Sequence, residues 1–444
     1  MELSMNLLKR YVALIFFFSV CSFLSIGQAS GITNDADLRT PTYWQGLSST
    51  NNDVVLNDAA KKSFNQKVRA ASPSMADLKS YPSTKLGRDL RKTIEASSTI
   101  SGVLYDENGQ ALTEAGKAAF LDSFNLSGLT KVVKVRQGVV VRHTNLRTLP
   151  TAQPLFSEPE VSMFDVLQET AVDPSEPVVI LHTSQSGEYY YVQMYNYRGW
   201  IAANDVAIVT DKKKWLNYVD PKAFLVVTDK SYVVAQGVQE TFYQMGSRLP
   251  LVKKDKSSYT IFLPQRDSKG QLLDKFVKIR KTAAVHEGYL PYTRNNLIQE
   301  AFCYLDEPYG WGGLVNSVDC SSLISNVYRT VGVVLPRNAD EQEGTAGQHF
   351  SFAGLDESGV LASIHKNLKP GDTLHMDGHV MMYVGESDGA AYAIHSLGSY
   401  TEFYADGQRE KQHILRVVVS DLSLKTGSGA SFADALTSAV SFHS

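Results

Sequence analysis

Apolar positions along this chain change their spacing several times, and each change marks a different kind of element. A nearly unbroken apolar run at 11–24 follows Lys9 and Arg10 and precedes Gly27, Gln28 and Ala29. A basic start, a short apolar core and small residues at its end make a secretory signal over 1–29, too short and wrongly flanked for a stable membrane span. Residues 30–131 mix Asn, Ser, Asp and Lys with helical stretches at 58–68 and 87–96. They predict an irregular, partly helical N-terminal extension whose Tyr43, Trp44 and Phe64 pack against later domains. Over 132–210 the period shortens to brief β runs at 139–142, 177–181 and 189–194, separated by Gly, Pro and Asn, the pattern of a small barrel. A second barrel is expected over 222–285, and Lys212, Lys213 and Lys214 between the two read as a solvated linker. From 290 to 420 helix and strand patterns mix: a helix at 295–305, a second with Leu323, Ile324, Val327 and Tyr328 at helical spacing, then strands at 379–384, 391–395 and 413–419. An α+β unit follows from that mixture. Residues 421–444 read as a tail with a weak helical pattern at 431–442.

The second helix of that unit begins at a special place. Tyr309-Gly310-Trp311-Gly312-Gly313 is a loop whose backbone must bend sharply, with Trp311 expected in the core. It leads to Asp319-Cys320-Ser321-Ser322, where the Asp and Ser residues are helix-capping types. Cys320 therefore sits in the first turn, where unpaired N–H groups and the helix dipole favour an anion and are expected to lower the thiol pKa. A nucleophile needs a base, and His379 leads a strand that a hairpin around Ser387, Asp388 and Gly389 returns to His395. Strand side chains alternate, so the two histidines share a face only if the hairpin loop is odd in length, for example three residues, with His395 opposite Met381. His379 then acts as general base and His395 orients it.

With 444 residues, 43% of them hydrophobic and 20% charged, the chain has room for several globular domains. Its 43 Lys and Arg against 46 Asp and Glu leave no charge excess that would point to nucleic acid. Of three cysteines, Cys21 lies in the leader, where lipid attachment is the alternative to cleavage after Ala29, and Cys303 sits in an apolar helical pattern as a small core residue. No disulfide framework is expected. His375 and His379 are separated by Gly378 in a turn and share no helix face, so no metal site and no cofactor are expected.

The Tyr-Gly-Trp-Gly-Gly loop, the Asp-Cys-Ser-Ser segment, Gly371-Asp372 and the later His379-Val380 and His395 together resemble the NlpC/P60 family of papain-like cell-wall cysteine peptidases over about 292–419. The Asn145-Leu146-Arg147-Thr148-Leu149-Pro150 element and Gly199-Trp200-Ile201 resemble a bacterial SH3 domain. The resemblance implies a multi-domain protein, two small SH3-like barrels followed by a papain-like NlpC/P60 domain at 290–420. It implies Cys320 as nucleophile, His379 as base, His395 as orienting residue and Tyr309 steadying the oxyanion. Asp319 and Ser321 would help hold the free amino end of a muropeptide, and Arg337 would be a further substrate-binding residue, although Ala339 stands where the family's Arg-x-Ser element has Ser. An acidic residue of the first barrel, Asp165 or Glu169, would pair with that amino group where the barrel closes the groove. The implied activity is hydrolysis of γ-D-glutamyl–diamino acid bonds in peptidoglycan peptides by an exported monomer of the periplasm or cell envelope. A papain-like amidase or acyltransferase, and an inactive wall-binding SH3 protein, are the alternatives.

Overall fold

The computed structural model describes residues 31–443, so the expected signal at 1–29 lies outside the described residues. Among the described residues no helix is long and apolar enough to cross a membrane.

The extension is divided between two cores. Helices Pro41–Gly46 and Asp58–Ala71 send Trp44, Phe64 and Val68 into the same core as Leu323, Ile324 and Val327 of the C-terminal unit. The helix Gly87–Ser97 instead turns Leu90 and Ile94 onto Tyr191 and Trp200 of the first β unit. Its apolar residues four apart share one face, and that face is what the unit covers.

Neither expected barrel closes. The first β unit is a seven-stranded sheet that starts at Gln168–Val172, continues through Thr144–Arg147, Arg198–Ala202, Tyr189–Gln193, Pro177–Thr183 and Arg136–Val140, and ends at Val206–Val209. Its first edge strand is covered rather than paired. Built Cβ atoms at Gly312 and Gly313 would lie 2.6 Å from Gln168 Cγ and 2.5 Å from Ala171 Cβ, so the glycine loop seals that edge. The second unit is an open five-stranded sheet from Leu272–Arg280 to Val285–Glu287, with a separate hairpin Ser231–Gln236/Gln239–Gln244. The lysines between the two units are not a linker: they open the helix Lys212–Val219, whose Trp215 is fully buried in the core of the first unit.

The C-terminal unit is a six-stranded antiparallel sheet, in the order Gln348–Ser351, Leu436–Ser441, Thr373–Met376, His379–Ser387, Ala390–Phe403, Arg409–Asp421. The expected tail thus supplies an inner strand. Ala439, Val440 and Phe442 are buried, which an alternating strand achieves and a surface helix would not. Helix Cys320–Thr330 packs on Val380, Met382, Ile394, Val417 and Val419 of one sheet face. Helix Glu357–Asn367 covers Met381, Tyr383, Ala393 and Val418 on the other.

Candidate active site

Cys320 is the first residue of its helix, and Asp319 caps it. The Asp319 carboxylate accepts from Ser322 N at 2.9 Å while Ser322 Oγ accepts from Asp319 N at 2.9 Å, a reciprocal capping box. Asp319 also accepts Gly312 N at 3.0 Å, which ties the glycine loop to the helix start. Behind it, buried Arg337 donates to Asp319 Oδ2 at 2.5 Å, Ser321 Oγ at 2.8 Å and Thr170 Oγ1 at 2.8 Å. Burial works against the Asp319 charge, but Arg337 and the cap donors hold its carboxyl below the ordinary range. Asp319, Ser321 and Arg337 are thus brought together, each largely committed to the others.

The histidines meet by a different route from the one parity demanded. The hairpin turn has two residues, Asp388 and Gly389, both with positive φ, the requirement of the tight turn that suits twisted strands. An even loop alone would put His395 on the wrong face. The ladder shifts register between Tyr383 and Gly385, a bulge at Val384 that adds one residue and restores parity. Met382 then pairs with Ile394, and the continued register sets His395 across from Met381. His379 Nε2 and His395 Nδ1 lie 2.8 Å apart, and His395 Nε2 is 3.0 Å from Ser420 Oγ.

The electrostatics correct the expectation of a low thiol pKa. Burial pushes the Cys320 thiol up to about 12, and the neighbouring Asp319 carboxylate adds to it. The N–H groups of Val380 and Ser321 and the more distant Arg337 charge oppose this without prevailing. The capping carboxylate cancels much of what the helix start offers an anion. Burial likewise draws His379 down to about 4 and His395 well below the histidine range. At neutral pH the site holds a neutral thiol and neutral imidazoles.

A groove of ≈ 490 Å³ opens over these groups, lined by Tyr309, Asp319, Cys320, Ser321, Arg337 and His379, and walled by Gln168, Glu169 and Tyr197 of the first β unit. Trp311 is a half-buried groove residue rather than core, its Nε1 donating to Asp165 O at 2.9 Å and its ring 5.5 Å from Phe164. Buried Tyr309 has its hydroxyl pKa raised, first by burial and then by proximity to Cys320. Asp165 does not serve the groove. Its carboxylate is buried against Arg147 Nη1 at 2.8 Å and accepts the N–H groups of Leu155 and Leu167. Glu169 does line the groove, accepting from Tyr197 Oη at 2.6 Å and Thr148 Oγ1 at 2.5 Å. Sequence reasoning missed Tyr197, Gln168 and a rim of Asp340, Glu343, His375 and Asp377. They belong to separate segments with no shared motif, and only the packing of the units collects them.

Residues 306–414 match the NlpC/P60 family, and residues 154–202 match an SH3 domain of the SH3b1 type. The chain carries an NlpC/P60 domain and an SH3 domain. This family is one of cysteine peptidases acting on peptidoglycan. The NlpC/P60 chain is 26% identical over 233 residues to Dipeptidyl-peptidase 6 of Lysinibacillus sphaericus, a match covering 50% of this chain and 78% of that one. It is 26% identical over 149 residues to a Gamma-D-glutamyl-L-lysine dipeptidyl-peptidase of Bacillus cereus, covering 32% of this chain and 40% of that protein. An NlpC/P60 endopeptidase from Photobacterium damselae subsp. piscicida superposes with a TM-score of 0.74 at 16% identity, over 94% of this chain and 99% of that one. That likeness shows a common fold across the units.

Proposed function

We propose that this NlpC/P60 protein is an exported cell-wall cysteine peptidase that cuts the γ-D-glutamyl–diamino acid bond of peptidoglycan stem peptides with a free N-terminal L-Ala. The observation that carries the reading is a groove lined by Cys320 and His379, with His395 buried behind His379, and walled by Glu169 and Tyr197 of the SH3 domain. Cys320 Sγ attacks the scissile carbonyl as His379 takes the thiol proton, and His379 returns that proton to the departing amine. Because both groups start neutral, proton transfer accompanies attack. The N–H of Cys320, one of those a helix start leaves without an intrahelical partner, faces the developing oxyanion, with Tyr309 beside it. Asp319, Ser321 and Arg337 form a fixed, buried floor under the substrate's amino end. Glu169, in place of Asp165, pairs with the ammonium.

Digestion of L-Ala-γ-D-Glu-L-Lys and its diaminopimelate counterpart by the mature protein tests this, beside Cys320→Ala and N-acetylated copies of both peptides. Release of L-Ala-γ-D-Glu that requires Cys320 and disappears on acetylation is the expected result. Equal release from acetylated peptides would remove the free-amine requirement. No release from either peptide would overturn the peptidase reading in favour of an amidase, an acyltransferase or a wall-binding role.

A further inference from the structure

His395 is held from both sides by parts of the N-terminal extension. On one side, the bulge that puts His395 on the His379 face contains Gly385, at φ 140°, where a Cβ would come within 3.1 Å of both Trp44 Cε3 and Leu47 Cδ1. Trp44 is fully buried, anchored by its Nε1 donating to Leu38 O at 2.9 Å, and packs at 5.4 Å on the ring of Tyr392, the residue paired with Gly385. Tyr43 Oη lies 2.7 Å from Ser387 Oγ at the end of the same strand. On the other side stands Ser420, fully buried, the residue at His395 Nε2. The extension brackets it: Thr33 N donates to Val419 O at 3.0 Å and Asp421 N donates to Gly31 O at 2.8 Å, with Ile32 paired to Ser420.

The direction of the hydrogen bonds gives this arrangement a chemical consequence. A base at His379 must carry its lone pair on Nδ1, because Nε2 is engaged with His395. That requires His379 Nε2–H to donate to His395 Nδ1, which in turn requires the His395 proton on Nε2, donated to Ser420 Oγ. The opposite sense, with the Ser420 hydroxyl donating, would leave His379 with a proton on Nδ1 and no basicity toward the thiol.

We propose that Ser420 is a positioning residue that accepts from His395 Nε2–H, and that residues 31–47 of the extension are part of the same device, holding Ser420 and the Val384 bulge so that His379 Nδ1 is the free base. The proposal rests on Cys320 and His379 being nucleophile and base. Catalysis depends on such placement steeply, so loosening it lowers rate by on the order of 10- to 100-fold.

The test uses Ser420→Ala, Ser420→Thr, Trp44→Leu and the Ser420→Ala/Trp44→Leu double variant of the full mature chain. For each, kcat and KM on the free-amine tripeptide are measured, with the rate at which iodoacetamide alkylates Cys320 at pH 7, followed on the Cys320 peptide by mass spectrometry. Folded fraction comes from near-ultraviolet circular dichroism. Ser420→Ala and Trp44→Leu are expected to lower kcat and alkylation 10- to 100-fold per folded molecule at unchanged KM. Ser420→Thr, which keeps the hydroxyl, retains both. The double variant falls no further than the worse single, as members of one unit do. Loss that merely tracks folded fraction, wild-type rates in Ser420→Ala, or independent losses that multiply in the double variant would each overturn the proposal. The alkylation rate needs no peptide substrate, so wild-type inactivity on the tripeptide would defeat the assigned activity while leaving this test in force.

Discussion

A carboxylate is available to a substrate ammonium only while no cation of the protein has neutralised it. Asp165 and Glu169 lie four positions apart, yet only the first is neutralised: Asp165 pairs with buried Arg147, whereas Glu169 receives hydroxyl hydrogens from Thr148 and Tyr197, which leave its charge intact. Charge-assisted hydrogen bonds contribute about 1.5–3 kcal/mol each, so Glu169→Gln is expected to raise KM for the free-amine peptide about 10- to 100-fold. The acetylated peptide, turned over poorly by either form, separates a lost ammonium contact from a damaged groove. Asp165→Asn is expected to act on stability instead. It leaves Arg147 charged and buried, at a cost of about 3–5 kcal/mol in urea unfolding, with KM unchanged for the molecules that remain folded. A KM effect in Asp165→Asn without a stability loss would reverse the two assignments.

At the scale of elements, what was legible in the chain followed range. Cys320 at a helix start needed only the period of Leu323, Ile324 and Val327 and the capping chemistry of Asp319 and Ser322, all within one turn or two. The parity requirement on His379 and His395 was also legible, but not its solution. The bulge at Val384 adds its residue where Gly385 meets Trp44, a contact between segments far apart in sequence, and nothing near Gly385 announces it. The thiol pKa departs from the expectation for a related reason: tertiary packing buries the sulfur, which raises it most, and a cap residue that helps the helix is also a buried negative charge beside it. The first β unit stays an open sheet, its edge at Gln168–Val172 covered by a loop from another unit. That loop is itself testable. Gly313 has φ 81°, and its Cβ would overlap Ala171, so Gly313→Ala is expected to push the SH3 wall from the groove. Discrimination between free and acetylated peptides should fall, while alkylation of Cys320 stays near the wild-type rate. Loss of alkylation as well would show that the loop also sets the nucleophile.

Across the whole molecule, burial of titratable groups ties stability to pH in two opposed senses. His182, His375, His379 and His395 are each drawn below the ordinary 6.5, first by burial, so the unfolded chain takes up protons there that the folded chain refuses. Their contribution is complete above about 6.5 and is lost as pH falls toward about 4. Glu300 behaves inversely. Burial first, then the Asp229 charge, raise it from 4.5 to about 8, so its contribution is complete below 4.5 and is lost as pH climbs through 8. Each unmatched proton tilts stability by about 1.4 kcal/mol per pH unit. Several histidines outweigh Glu300 on the acid side, and above 6.5 they add no further slope while Glu300, with buried Glu176 raised in the same direction, still opposes, so the urea midpoint is expected to rise up to about pH 6.5 and decline above it. Glu300→Gln, which mimics the protonated side chain, isolates the second limb. The variant should match the wild type below about pH 4.5, exceed it increasingly as pH rises to about 8, and keep a constant margin above that. A parallel decline in both proteins would mean that Glu300 is ionised in the folded state, and that the helix Arg294–Phe302 carries a buried charge which its surroundings solvate.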